Sequence, residues 1–259
     1  GKCEQAVGAW LQARQIRDEI VLIAKGAHTP ECSPEGITRQ LHESLDRLQT
    51  DSVDIYMMHR DNLVIPVAEF VECMNEHQRA SRMKSFGASN WSLQRLREAN
   101  EYAASKGLTG LSSTSVNFSL AKWNEPMWSG CVTGSDEESK AWYTQTQMPL
   151  FAWSSQAGGF FTGRFAPQRR EEAMKDPQIS EVERTWFNEA NFARLERARQ
   201  LAQQENTGAT QIALAYVMNQ PLNIFALIGP RSIEETRTSM LALDVPLTSQ
   251  ELRWLDTGD

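Results

Sequence analysis

Polar side chains gather at the ends of apolar runs in this sequence. Lys25 follows EIVLIA (19–24), and His59 closes SVDIYMMH (52–59). Other runs give way to Ser89-Asn90, Ser115 to Phe118, Trp153-Ser154-Ser155 and Gly229-Pro230-Arg231. A lysine that closes an apolar strand loses hydration unless it is paired or used. Taken alone, Lys25 fits either an active-site lysine or a solvated strand-end lysine. A lone strand-end histidine such as His59 is more often structural, but on consecutive parallel strands the two would stand side by side. Arg231 precedes a helix start, where its guanidinium and the free N–H groups can face one phosphate; the bland alternative is a surface capping arginine.

The elements that position these residues emerge from alternation. Strands are expected at 19–24, 52–59, 84–89, 113–118, 148–155 and 223–230, separated by amphipathic helices at 33–49, 67–81, 92–107 and 136–147. Further helices are expected at 190–205, 209–219, 232–242 and 249–257, and the chain opens in a helix-like pattern at residue 1. In the first strand–helix–strand unit Ile37, Leu41, Leu45 and Leu48 keep helical spacing, Ser33 is the N-cap and Pro34 the first helical residue. Near-continuous apolar strands between amphipathic helices mean an α/β fold with a parallel sheet. No G-x-G-x-x-G follows the first strand, so an open dinucleotide-binding sheet is disfavoured. The reading is a TIM (β/α)8 barrel, with about six strand–helix units visible and residues 1–259 forming one domain.

Composition narrows the function classes. The chain has 259 residues, 41% hydrophobic and 23% charged, with 26 basic and 33 acidic side chains for a net charge of −7. Interspersed charges of that balance give no footprint for nucleic acid or anionic lipid, and no run is long enough for a membrane helix. Cys3, Cys32, Cys73 and Cys131 lack metal-ligand or framework spacing, so no metal site is expected and the thiols read as free in a reducing cytoplasm. Trp10, Trp186 and Trp254 read as packing. Trp91, Trp123 and Trp128 border the expected mouth, where they either shape it or pack. His28, His42 and His77 read as solvated, and the pairs Glu137-Glu138, Glu171-Glu172 and Glu234-Glu235 as helix-start carboxylates.

Five segments together carry a family resemblance. A-K-G (24–26), D-S-V-D-I-Y-M-M-H-R-D (51–61), G-A-S-N-W (87–91), F-A-W-S-S-Q-A-G-G-F-F-T-G-R (151–164) and I-G-P-R-S-I-E-E (228–235) resemble the aldo-keto reductases in order and spacing. The resemblance implies an NADP(H)-dependent oxidoreductase that moves a hydride between nicotinamide and an aldehyde or ketone carbonyl, or the corresponding alcohol. It makes Lys25 the lysine that lowers the pKa of a tyrosine proton donor and His59 the group that orients the carbonyl. Ser89 and Asn90 match residues that hold the carboxamide, and Ser115 stands where the family commonly has a glutamine. Trp153 replaces a tyrosine that stacks on the nicotinamide, with Ser154 beside it. Gly229, Arg231 and Ser232 match the 2′-phosphate segment, Glu235 and Ser239 replace a Gln and an Asn there, and Arg164 follows a glycine loop facing the pyrophosphate.

The tyrosine and aspartate of that family pattern are not matched here. Tyr56 falls in a strand and Tyr102, Tyr143 and Tyr216 fall on helices. The expectation is therefore that about 45 to 65 residues precede Gly1, at roughly 30 per β/α unit. Two function classes follow: a reductase acting on a small-molecule carbonyl or alcohol, compatible with a homo-oligomer, and a non-catalytic NADP(H)-binding regulatory subunit. Lys25 and His59 favour the first, because a pure binder needs neither.

Overall fold

The computed structural model describes residues 1–165 and 179–259; the expected Glu171-Glu172 pair lies outside them. They form two compact units, 1–115 and 116–259. In the first, helix α1 (Lys2–Arg14) precedes β1 (Ile23–Gly26), α2 (Pro34–Leu48), β2 (Val53–Met58), α3 (Val67–Arg79), β3 (Met83–Ser89), α4 (Leu93–Lys106) and β4 (Thr114–Ser115). The four strands are parallel, with Lys25 opposite Met57, Met57 opposite Gly87 and Ser89 opposite Ser115.

Local chemistry explains these elements. Ser33 Oγ accepts the Gly36 N–H at 3.1 Å at the head of α2, Pro34 occupies the first turn, and Ile37, Leu41, Leu45 and Leu48 are buried. Each such aliphatic side chain contributes about 1.5–3 kcal/mol by leaving water. Ser92 caps α4, and Gly107 ends it in the left-handed conformation. Gly87 is fixed by a close approach: a Cβ there would lie 2.3 Å from the Ser113 carbonyl oxygen. The chain turns sharply just past several strands, and Ala27, Asn90 and Ser154 have φ of 58°, 59° and 49°.

Three expectations in this unit are corrected. The first strand runs 23–26 rather than 19–24, because Arg17–Glu19 forms a 3-10 turn and the Leu22 N–H bonds the Asp54 carboxylate at 2.8 Å. Lys25 therefore lies inside the strand rather than beyond it. His77 is buried rather than solvated: Arg82 donates to Nδ1 at 3.2 Å, so Nε2 carries the hydrogen toward Thr38 Oγ1 at 2.9 Å. Trp10 is 45% exposed and is not core packing, whereas Trp91 is buried against Phe70 and the Arg95 guanidinium.

In the second unit, α5 (Glu137–Thr146), β5 (Leu150–Ala152), a 3-10 turn (Ala157–Thr162), α6 (Ile179–Trp186), α7 (Glu189–Gln204) and α8 (Ala209–Met218) precede β6 (Ile224–Ala226), α9 (Ile233–Met240) and α10 (Ser249–Thr257). Strands β5 and β6 pair in parallel, Phe151 opposite Phe225. The expected strand 148–155 keeps only three residues as strand, and Trp153 continues as a bridge to Asn117. Trp186, Phe160, Phe161 and Tyr216 fill the core. Asp256 pins α10: its Oδ2 accepts from Lys122 and Lys140 at 3.0 Å and from the Tyr216 hydroxyl at 2.9 Å, while Oδ1 accepts from Arg194 at 3.0 Å.

Candidate functional site

Lys25, His59, Ser89, Asn90 and Ser115 all come from strand ends of the first unit, and hydrogen bonds tie them together. Lys25 Nζ donates to Ser115 Oγ at 2.7 Å. Ser89 Oγ donates to the Ser115 carbonyl at 2.7 Å, and Asn90 Nδ2 donates to Ser89 Oγ at 3.0 Å and to the His59 carbonyl at 3.3 Å. The His59 N–H donates to the Gly26 carbonyl at 2.6 Å, which seats the imidazole next to β1. Its ring meets the edge of His28, with centroids 4.7 Å apart.

Burial sets the charge states. The Lys25 ammonium is pushed down to about 8, first by desolvation and then by the Arg60 guanidinium. It remains mostly cationic at neutral pH. Burial pushes His59 down to about 4, helped by Lys25, His28 and Arg60, so the imidazole is neutral. A neutral ring keeps one N–H for donation, while the neighbouring cation stabilises an anionic oxygen. Arg60, which helps lower both, was not among the residues expected from sequence; its position directly after His59 is the signal that was available.

A second group surrounds a cleft of about 700 Å³ in the second unit. Ser154, Arg164, Gly229, Arg231, Glu235 and Ser239 line it, six residues from three sequence segments. Ser232 caps the neighbouring α9, its Oγ accepting the Glu235 N–H at 3.1 Å. Arg164 is held by donation to the Gly158 carbonyl at 3.2 Å and by its guanidinium over Phe165 at 4.5 Å. Gly159 has φ +84°, and a Cβ there would lie 3.1 Å from Arg164 Nη2, so the glycine loop lets the arginine close over its own backbone. Gln156 and Gln211 also line the cleft and were missed. Gln211 sits in the first turn of α8, next to Thr210, which also lines the cleft.

Trp153 belongs to a cluster of indoles in the same unit. Its ring centroid is 5.7 Å from Trp123 and 5.9 Å from Trp128. Trp128 is 45% exposed and donates its Nε1–H to Glu181 Oε1 at 2.9 Å. The indole nitrogens of Trp123 and Trp153 are buried with no hydrogen-bond partner among the described residues. Among those residues, no group of three or more His, Cys, Asp or Glu side chains could hold a metal, and no helix is long and apolar enough to cross a membrane.

The chain belongs to the Aldo/keto reductase family, whose model matches residues 1–257. Norsolorinic acid reductase A of Aspergillus parasiticus is 28% identical over 273 residues, covering 100% of this chain and 65% of that protein. The chain thus spans about two thirds of that relative's length. A probable aryl-alcohol dehydrogenase of Saccharomyces cerevisiae is 25% identical over 97% of this chain and 78% of its own length. Among solved structures, a Klebsiella pneumoniae aldo/keto reductase in complex with NADP and acetate superposes with a TM-score of 0.70 at 23% identity, covering 98% of this chain and 74% of that one. The thermostable aldo-keto reductase Tm1743, in complex with the inhibitor epalrestat, gives a TM-score of 0.72 at 20% identity, over 99% and 77% of the two chains. The fold is therefore the TIM barrel of these reductases, with six parallel strands among the described residues.

Proposed function

We propose that this chain serves an NADP(H)-dependent oxidoreductase that interconverts an aldehyde or ketone carbonyl and its alcohol. The observation that carries this reading is the cleft, where six residues that the family resemblance implies for the cofactor line one space. Two arginines, the head of α9 and a glycine loop suit a dinucleotide's phosphates. When bound, the dinucleotide supplies or accepts the hydride. Trp153 offers a broad aromatic face to a planar ring, and Ser89 and Asn90 offer polar groups to a carboxamide. The solved Klebsiella relative in complex with NADP supports the same cofactor.

The chain's own residues handle the oxygen. Neutral His59 donates a hydrogen bond to the carbonyl oxygen, and cationic Lys25 favours the anionic form of a phenol that gives up its proton to the developing alkoxide. None of the four tyrosines fits that donor role. Tyr56 and Tyr216 are buried with hydroxyls pushed far above the usual range by desolvation, Tyr102 is bonded to Glu72, and Tyr143 is in the core. On this reading the donor is the tyrosine that the family resemblance implies, a role these four do not fill. Trp123, Trp128 and Trp153, together with relatives named for aryl alcohols and norsolorinic acid, favour an aromatic carbonyl.

The test combines binding and turnover in the protein that carries this chain. NADPH binding is followed by nicotinamide fluorescence, then benzaldehyde is added and loss of nicotinamide absorbance recorded. Lys25→Met is expected to keep NADPH binding and lose turnover at least 100-fold, the scale of a positioned proton-transfer group. Undiminished turnover removes Lys25 from the reaction. NADPH binding with no turnover by the unaltered protein supports instead a regulatory nucleotide-binding subunit.

A further inference from the structure

The cleft of the second unit already contains an anion of its own. Glu235 Oε2 accepts the backbone N–H of Arg231 at 2.6 Å, and its Oε1 lies 3.8 Å from Arg231 Nε. Both side chains line the cleft. The carboxylate sits on the very donors that an incoming oxyanion needs, the N–H just ahead of α9 and the adjacent guanidinium. The pair is open to solvent, with 63% of the Arg231 and 49% of the Glu235 side chain exposed, so it can part without disturbing any core.

We propose that Glu235 is a specificity-determining residue that competes, as a tethered carboxylate, with the adenosine 2′-phosphate of a dinucleotide for Arg231. The proposal rests on reading the cleft as a dinucleotide site. An internal ligand of this kind acts at an effective concentration in the millimolar range, whatever the bulk solution contains. Its charge also repels a phosphate brought to the same arginine, an effect that an unphosphorylated ribose escapes. The outcome is a cleft that accepts NADP but holds it less selectively over NAD than Arg231 alone would allow.

Glu235→Gln separates charge from capping. The amide oxygen still accepts the Arg231 N–H, so the helix start survives while the negative charge goes. Calorimetric titration of the full protein with NADP⁺ and with NAD⁺, which differ only in the 2′-phosphate, reads the effect directly. The expected result is about tenfold tighter NADP⁺ binding with NAD⁺ changed less than twofold, and a gain that shrinks as salt is raised. Glu235→Ala, which removes charge and acceptor together, is expected to move the ratio the same way. An NADP⁺/NAD⁺ ratio unchanged in both variants, with both nucleotides still bound, overturns the role of Glu235 while leaving the dinucleotide reading intact. Absence of binding by either nucleotide to unaltered protein and variants alike overturns that reading, and this proposal with it.

Discussion

Replacing Asp256 by Asn tests the charge cluster beneath α10. The carboxylate is the common acceptor for Lys122, Lys140, Arg194 and Tyr216, and its side chain is only 12% exposed. The amide preserves shape but leaves three cations facing one neutral group, with Glu137, 3.4 Å from Lys140, as the remaining counter-charge. Removing one partner of a buried ion pair costs about 3–5 kcal/mol. Because Lys122 is 27% exposed, the lower end, about 3 kcal/mol, is expected here. At about 2–4 °C per kcal/mol for a chain of this size, the melting temperature falls by roughly 6–12 °C. The sign with pH is also determined. Burial would raise the folded carboxyl, but Lys122 and Lys140, by charge and hydrogen bond, hold it well below the usual carboxylate value of 3.8, so its contribution is present above that value and is lost as pH falls below it. Urea unfolding of both proteins across this range should show the gap closing in acid. Lys122→Met added to Asp256→Asn should recover part of the loss, since it removes one of the stranded charges. A loss under about 1 kcal/mol at pH 7, or a gap that does not change with pH, would refute the assignment of Asp256 as the cluster's centre.

Two further outcomes follow from the first unit. Carbonyl reduction should decline as pH rises through about 8, where Lys25 gives up its proton, and a pH–rate profile flat from 7 to 9 would count against its cationic role. Gly87→Ala should destabilise by about 1–3 kcal/mol through overpacking, because the new methyl would lie 2.3 Å from the Ser113 carbonyl oxygen; a variant with unchanged denaturation midpoint would show that β3 and its neighbour can separate freely.

Helix α2 shows how much could be read from sequence alone. Its N-cap, first-turn proline and four buried aliphatics all lay in local spacing, and the structure keeps them in place. Lys25 and His59 could also be found locally, since each interrupts an apolar run at its end. What escaped depended on partners distant in sequence. His77 sits on a helix whose polar face suggests solvent, yet Thr38, 39 residues away, closes over it together with Arg82 just past the helix end. The first strand started later than its apolar run because Asp54, 32 residues from Leu22, takes the Leu22 N–H. Gln211 and its neighbour Thr210 reach the cleft from the first turn of a helix that is otherwise mostly apolar, and only the cleft's other walls, distant in sequence, reveal their place.

The left-handed turns just past the strands have a consequence for how such a protein can change. At Ala27, Asn90 and Ser154 the backbone adopts the left-handed conformation, so the turn away from the strand begins after Lys25, Ser89 and Trp153, whose positions are set by strand pairing or a bridge. A loop grafted in from another chain after such a corner would inherit the aim of Lys25, Ser89 or Trp153 without having to reproduce it. New substrate preferences could then be acquired by exchanging loops, leaving the reactive groups where they stand.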